Sequence, residues 1–372
     1  MKNVFGNAIT LTLFGESHGA EIGVVIDGLT PGLLVDEGEI AAVLSRRRPS
    51  TAADTARREP DHFRIVSGVY GGRTTGTPLA ILIPNEDKRS ADYEAMAGLC
   101  RPSHADYTAH RRYDGFADPR GGGHFSGRIT AALVAAGGIF LPTLRALGID
   151  IHTRICRCAG IDDAPLPQDE GGMAAAMAAA AGRSFPVIDE SAGARMLAAI
   201  EDAKRDGDSV GGVCETVILG MPAGVGEPWF DSLEGVLSHA VFSLGGVKGI
   251  EFGGGFALSD MRGSAANDPL QMEGERVVTA KNDSGGIVGG ISNGMPIVFR
   301  TAVKPTPSIA RAQSTVDLCR MANAELSIPG RHDPAIVRRI CPVLESVTAH
   351  VICDMLAARF GAEILRGGRG AL

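Results

Sequence analysis

Residues suited to holding an anion and moving a proton gather in a few short segments of the chain. Asp118-Pro119-Arg120-Gly121-Gly122-Gly123-His124-Phe125-Ser126-Gly127-Arg128 runs straight into the apolar helical pattern that begins at Ile129. Without Cβ atoms, glycines let backbone N–H groups press against a phosphate, and a helix N-terminus adds partial positive charge. Arg120 and Arg128 flank the run with guanidinium forks that match phosphate or carboxylate. A glycine triplet before a helix is by itself as often a plain loop, so its company decides its meaning. Arg101-Pro102-Ser103-His104-Ala105-Asp106 places a cation, a proton donor and a carboxylate within six residues, although an exposed polar turn reads the same way. Gly15-Glu16-Ser17-His18-Gly19 fits the G-x-S-x-G pattern of a hydrolase nucleophile, but a second β run follows it instead of a helix. His18 is therefore better placed as a proton donor or anion contact. Lys304-Pro305-Thr306-Pro307-Ser308 ends a strand with a cation and two hydroxyls, a segment that could bind an anion or simply make a rigid turn. Asp333, after Arg331-His332 and before Pro334, is by default a helix cap. His62, His110, His152, His239 and His350 have no such neighbours and read as structural.

The elements that must position these groups follow from hydrophobic periodicity. Residues 7 to 14 alternate as a strand, the Gly15–Gly19 turn follows, and 21 to 29 form a second strand, giving a hairpin with its polar tip. A helix is predicted over 37–47, ending in Arg46-Arg47-Arg48 before Pro49, with strands at 62–69 and 79–83. A polar tract with no clear periodicity occupies 85–123, longer than a compact chain uses without functional reason. An amphipathic helix is expected at 191–206, and one or two helices over 334–360, kinked at Pro342. Val25-Ile26-Asp27-Gly28-Leu29-Thr30-Pro31-Gly32 resembles Val217-Ile218-Leu219-Gly220-Met221-Pro222-Ala223-Gly224, each followed by an acidic helix. Gly71-Gly72-Arg73-Thr74-Thr75-Gly76-Thr77-Pro78 likewise resembles Gly289-Gly290-Ile291-Ser292-Asn293-Gly294-Met295-Pro296. An internal duplication follows. The expected fold is α+β, a β-α-β sandwich built from two copies of a β-α-β unit, in one domain over residues 1–372 with pseudo-repeats at about 1–150 and 205–365.

Composition narrows the partners. The net charge is −7, yet residues 41–130 hold 14 Lys and Arg against 10 Asp and Glu, which leaves −11 for the rest. A local basic concentration in an acidic chain suits a small anionic substrate and not a polynucleotide. Only 5% of residues are aromatic, too few for base-stacking platforms. Seven scattered cysteines fit a reducing, cytoplasmic setting, and no Cys/His pairing at zinc spacing asks for a metal. The longest apolar stretch, 129–149, is interrupted by Gly137-Gly138, Pro142 and Arg145, so no membrane span or signal segment is expected.

Taken together, Phe14-Gly15-Glu16-Ser17-His18-Gly19, Arg46-Arg47-Arg48-Pro49, Arg57-Arg58-Glu59-Pro60-Asp61, Arg101-Pro102-Ser103-His104-Ala105-Asp106-Tyr107-Thr108, Gly121-Gly122-Gly123, Gly289-Gly290-Ile291-Ser292-Asn293-Gly294, Lys304-Pro305-Thr306 and Gly330-Arg331-His332-Asp333-Pro334 resemble the chorismate synthase family, in the family's order. The resemblance implies a 1,4-anti elimination of phosphate from 5-enolpyruvylshikimate 3-phosphate, dependent on reduced FMN, in a cytoplasmic homotetramer. It implies that His104 protonates the departing phosphate, His18 sits at the N1 edge of the flavin, Asp333 assists proton traffic at N5, and Ser17 and Ser126 position ligands. It implies a flavin lying against His124, Phe125, Ser126, Gly245, Gly246, Gly289, Lys304, Pro305, Thr306, Pro307, Ser308 and Arg331, with Arg47, Arg101, Arg128 and Arg331 holding the substrate's phosphate and carboxylates. NADPH is the possible reductant, with Arg47 among the residues that would meet it. The chain departs from the family pattern at His124-Phe125, where arginine and serine are common, at Ser50-Thr51-Ala52-Ala53, where an arginine tied to NADPH use is absent, and at Gly245-Gly246, where Asn-Ala is usual. The altered loop at His124-Phe125 supports one rival, a degenerate anion-binding or flavin-binding protein on the same scaffold.

Overall fold

Alternating apolar residues build two antiparallel sheets, and two long apolar helices fill the space between them. The computed structural model describes residues 3–49, 60–86, 98–328 and 333–367. The first sheet contains β1 (Val4–Phe5), β2 (Thr10–Gly15), β3 (Glu21–Asp27), β4 (Arg64–Ser67) and β5 (Leu79–Pro84), in the order β1-β2-β3-β5-β4. The second contains β6 (Asp150–Cys158), β7 (Ile161–Asp162), β8 (Gly212–Leu219), β9 (Val247–Phe252) and β10 (Ile297–Val303), in the order β9-β10-β8-β6-β7. The order β2-β3-β5-β4 therefore recurs as β6-β8-β10-β9, the duplication expressed as topology. The helices are α1 (Glu37–Arg47), α2 (Asp106–Arg112), α3 (Thr130–Leu147), α4 (Glu170–Ala181), α5 (Glu190–Arg205), α6 (Leu233–Phe242) and α7 (Val337–Phe360).

Inward residues of β2, β3 and β5, Leu11, Ile22, Val24, Ile26, Leu79, Ile81 and Ile83, are buried, and β3 and β5 pack against α3, on which α1 lies in turn. In the second sheet Ile218, Ile297 and Phe299 do the same beneath α7. The Gly137-Gly138 pair that interrupts the apolar stretch is where α3 touches its neighbours. A Cβ on Gly137 would lie 2.1 Å from Ser346 Oγ of α7, and one on Gly138 would lie 2.5 Å from Ile40 Cα of α1. Helix α7 is continuous through Pro342, so the second of the two expected forms, a pair of helices, does not occur. Nearly every residue from Val337 to Ala357 is buried, and that packing offsets the local cost of about 3 kcal/mol for a proline. Gly127–Leu147 and Val337–Phe360 are long and apolar enough to cross a membrane, but 78% and 100% of their most apolar windows are buried inside the protein.

The polar tract also holds an element that periodicity missed, α2, whose N-cap Ala105 makes no side-chain hydrogen bond and so leaves no capping signal. The N-terminal segment is pinned by α7: Asp354 accepts the N–H groups of Asn7, Ala8 and Ile9, and His350 Nε2 donates to Ile9 O at 2.8 Å. That anchor fixes the start of β2, and with it the turn at its end.

Candidate functional site

The turn from β2 to β3 is closed by Gly19 N–H donating to Glu16 O at 3.0 Å, which leaves Ser17 and His18 at its two central positions. Both side chains are buried, at 1% and 5% exposure. The glycine loop grips this turn, because Ser17 N–H donates to Gly123 O at 3.1 Å and His124 Nδ1 lies 2.8 Å from Gly15 O. A carbonyl can only accept, so the His124 proton sits on Nδ1. Ser17 Oγ is buried and makes no hydrogen bond within the protein.

Gly121, Gly122 and Gly123 have φ of 62°, 84° and 53°, a left-handed path that side chains resist. Their lack of a Cβ is equally a matter of space. A Cβ on Gly121 would meet His18 Nδ1 at 2.3 Å and Ser17 Oγ at 2.8 Å; one on Gly122 would meet His104 Cε1 at 3.1 Å and Arg101 Nη2 at 3.5 Å. The loop thus separates and gathers two histidine segments that lie far apart in sequence. Ser126 Oγ accepts Arg128 N–H at 3.3 Å and caps the short helical turn that leads into α3. In this state the expected ligand-positioning hydroxyl serves as a cap.

Asp106 organises the other side. Its carboxylate accepts Arg101 N, Nε and Nη2 at 2.9, 2.8 and 2.7 Å, and lies 3.4 Å from His104 Nδ1. Burial raises the Asp106 pKa, but the hydrogen bonds from Arg101 and His104 outweigh that and hold it far below the usual carboxylate range. Lys304 Nζ donates to Ser103 O at 2.6 Å, so the end of β10 closes over the same loop. Burial, with Lys248 nearby, lowers the Lys304 pKa.

Below the loop, Asp61 is buried among arginines. Arg47 reaches it at 3.2 Å, Arg48 stands 3.9 Å away, and Arg128 makes a close ion pair with it. Arg128 also donates to Asn85 Oδ1 at 3.0 Å and Pro84 O at 2.9 Å. Two of the four arginines expected to hold substrate are thus anchored internally, with side-chain exposures of only 6% for Arg47 and 4% for Arg128. Arg339 pairs with Asp333 and donates to Arg47 O at 3.0 Å, which brings the start of α7 to the same place. Gly246 O accepts Lys304 N at 2.9 Å beside Ile336, so Gly245, Gly246 and Lys304 join this region. No atom lies within 4 Å of a Cβ built on Gly245. Thr306 Oγ1 is buried without a partner, and Ser308 is buried nearby in sequence, with Pro305 and Pro307 stiffening the segment.

A cavity of about 780 Å³ opens beside these groups, lined by Arg101, Gly122, His124, Phe125, Tyr113 and Phe14 among others. It is large enough for a small organic ligand. Its aromatic wall includes Tyr113 edge-on to Phe125, with ring centroids 6.2 Å apart. His110, expected to be structural, sits at the rim of this cavity on the exposed side of α2.

One expected site residue lies apart from the others. Gly289 lies in the tight turn with Gly290, whose side meets Ser232 and Glu227, near the Ile297 end of β10, whereas Lys304 follows its Val303 end. A seven-residue strand separates them by about 20 Å. Arg331 and His332 lie outside the described residues. Residues that sequence reasoning missed are Asn85 and the ion-pairing role of Asp61; an Asn-after-Pro at a strand end is too common a turn signal to have marked the first.

A family model described as chorismate synthase matches residues 9–357. A chorismate synthase of Korarchaeum cryptofilum is 41% identical over 100% of this chain and 99% of its own length. One from Thermococcus gammatolerans is 45% identical over 95% of this chain and 97% of its own. A crystal structure of a chorismate synthase superposes with a TM-score of 0.74 at 26% identity, covering 96% of this chain and 94% of that one. With a matching family model along almost its whole length and relatives above 40% identity at full coverage, the chain belongs to the chorismate synthase family.

Proposed function

We propose that the cleft takes 5-enolpyruvylshikimate 3-phosphate together with reduced FMN and releases inorganic phosphate and chorismate. The observation that carries the reading is the convergence of Ser17-His18 and Arg101-His104 on opposite sides of Gly121-Gly122. Proton donors on two sides of a gap that only glycine leaves open suit a reaction in which a phosphate departs from one position and a proton from another.

Arg101, held in a fixed orientation by Asp106, presents a preorganised cation, and each charge-assisted hydrogen bond to phosphate is worth about 1.5–3 kcal/mol. His104 has Nδ1 toward Asp106 and its other nitrogen toward the glycine loop, the arrangement of an acid that protonates a leaving oxygen. Ser17 and His18 bind and orient from the other wall. The donor set fits a flavin: Thr306 Oγ1 is an unpartnered buried hydroxyl, Gly245 has open space, Lys304 reaches Ser103 O beside Arg101 and His104, and His124 and Phe125 line the cavity. When bound, reduced FMN supplies electron density and a proton acceptor for the ring hydrogen. The arginine that the family pattern ties to NADPH is absent at Ser50-Thr51-Ala52-Ala53, so the reading includes an outside source of reduced flavin. A homotetramer and a cytoplasmic setting belong to the same reading, the setting alone being supported by seven cysteines with no disulfide among them.

The test is His104→Ala. Phosphate release at saturating substrate is expected to fall about 10²–10⁴-fold while equilibrium binding of substrate persists. A rate within threefold of the parent would overturn the role, and inactivation by a serine-directed phosphonate at Ser17 would favour a hydrolase instead.

A further inference from the structure

The link between the Ser17-His18 turn and the arginine floor runs through one uncharged side chain. Asn85 stands just beyond β5 and is 8% exposed. Its Nδ2 donates to Glu16 O at 2.9 Å and to Gly19 O at 3.1 Å, the first and last carbonyls of the turn that displays Ser17 and His18. Its Oδ1 accepts Arg128 Nε–H at 3.0 Å, and its backbone N–H donates to Ala20 O at 3.1 Å. The orientation of the amide is dictated by its surroundings. Flipped, it would set an oxygen against two carbonyls and an NH2 against the guanidinium N–H. Only a planar group with two donors on one side and an acceptor on the other satisfies all three partners. Aspartate keeps the acceptor and lacks the donors; leucine has the volume and neither.

We propose that Asn85 is a positioning residue, a clip that holds the Ser17-His18 turn at a fixed spacing from Arg128 so that proton handling and anion holding stay in register. The assignment of a consequence for turnover rests on the function proposed above. Asn85 touches no reacting atom in this account; it acts through His18 and Arg128. Arg128 is buried, and the bonds from the amide to the Glu16 and Gly19 carbonyls are partly buried, so loss of the amide leaves a buried guanidinium N–H and two partly shielded turn carbonyls to find new partners, and the turn shifts to find them.

The experiment compares Asn85→Leu and Asn85→Asp with the parent full-length chain. It reads kcat and KM with dithionite-reduced FMN, thermal midpoint, and the ring and Arg Nε–H resonances of protein labelled at histidine and arginine. Both variants are expected to lose about 100-fold in kcat per folded molecule, the scale of a displacement near 1 Å. In both, the His18 ring resonance moves while that of His350, anchored far away on Ile9, stays. The Arg128 Nε–H resonance persists in Asn85→Asp and is lost in Asn85→Leu. A kcat within threefold of the parent in either folded variant, or an unmoved His18 resonance, overturns the proposal. If Asn85→Leu does not fold, Asn85→Asp alone decides. A parent without turnover would count against the proposed reaction, while the His18 and Arg128 resonances would still decide the clip.

Discussion

One buried ion cluster lies in each half of the molecule, and the two are built to opposite rules. In the second half, Arg154 faces two carboxylates, Asp163 at 2.5 Å and Glu215 at 2.7 Å, and donates also to Ala164 O. Asp163 in turn accepts the N–H groups of Ile188 and Asp189. This cluster lies under α4 and α5 and ties the connection between β6 and β8 to the sheet. In the first half the corresponding connection, between β2 and β3, is only the Glu16–Gly19 turn, and near it three guanidinium groups converge on the single carboxylate of Asp61 among the described residues. Where the duplicated unit grew a long connection it used charge to fasten a cover. Where the connection stayed short, it left a histidine turn, a glycine loop and concentrated positive charge around one cleft. A buried charge is weak evidence of function until its partners are counted and its cover inspected.

The sharpest way to break this comparison is Arg154→Met. Removing one partner strands two buried carboxylates, and a loss of about 3–5 kcal/mol is expected, read by denaturant unfolding. Turnover per folded molecule should be unchanged; a specific loss of kcat would place this cluster in the reaction and erase the contrast. Arg101→Met tests the other half. It should weaken substrate binding by about 10- to 150-fold, as 1.5–3 kcal/mol of charge-assisted bonding requires, with a small effect on thermal midpoint. Titration calorimetry with substrate checks it.

A gentler probe uses pH. Burial lowers the His350 pKa, opposed in part by the Ile9 carbonyl and Asp354. The unfolded chain takes up the proton near pH 6.5 and the folded chain resists, so stability is fully present above that value and declines as pH falls below it. His350→Gln should flatten that decline, measured as thermal midpoint between pH 7.5 and 5.5. Asp106 works in the opposite range: its depressed pKa contributes stability above the ordinary carboxylate value, lost only as pH drops well below it. The smallest effect expected is in thiol labelling. Cys319 is exposed and lines the cavity, whereas Cys156 is pushed up to about 12 and Cys158 to about 11 by burial. At neutral pH, Cys319 should label fastest, and substrate should slow it.

The sequence made some of this legible because local rules and tertiary structure agreed. Helix α1 matches its expected span: Asp36 caps it by accepting Gly38 N–H at 2.7 Å, and the arginines before Pro49 end it. The repeated motifs correctly announced a duplicated sheet. Other features depend on what sits opposite in space. Gly289 belongs to a motif as clear as the rest, yet a motif does not say at which end of β10 it falls. Helix α2 carries no cap signal, and Ser126 proves to be a cap at a position expected to meet ligand. Asn85 is one asparagine at a strand end, and its importance comes from Arg128, Glu16 and Gly19 meeting it from three directions.

The central claim, that segments of both halves converge on one cleft for a flavin-dependent elimination, is tested most directly under anaerobic conditions. Purified protein is mixed with 5-enolpyruvylshikimate 3-phosphate and dithionite-reduced FMN, and chorismate absorbance and phosphate release are followed together, then compared with NADPH and oxidised FMN. The account predicts stoichiometric chorismate and phosphate with pre-reduced flavin and none with NADPH alone as reductant. Turnover with NADPH would remove the requirement for an outside reductant; absence of turnover with pre-reduced flavin would contradict the account and leave a binding protein on this scaffold.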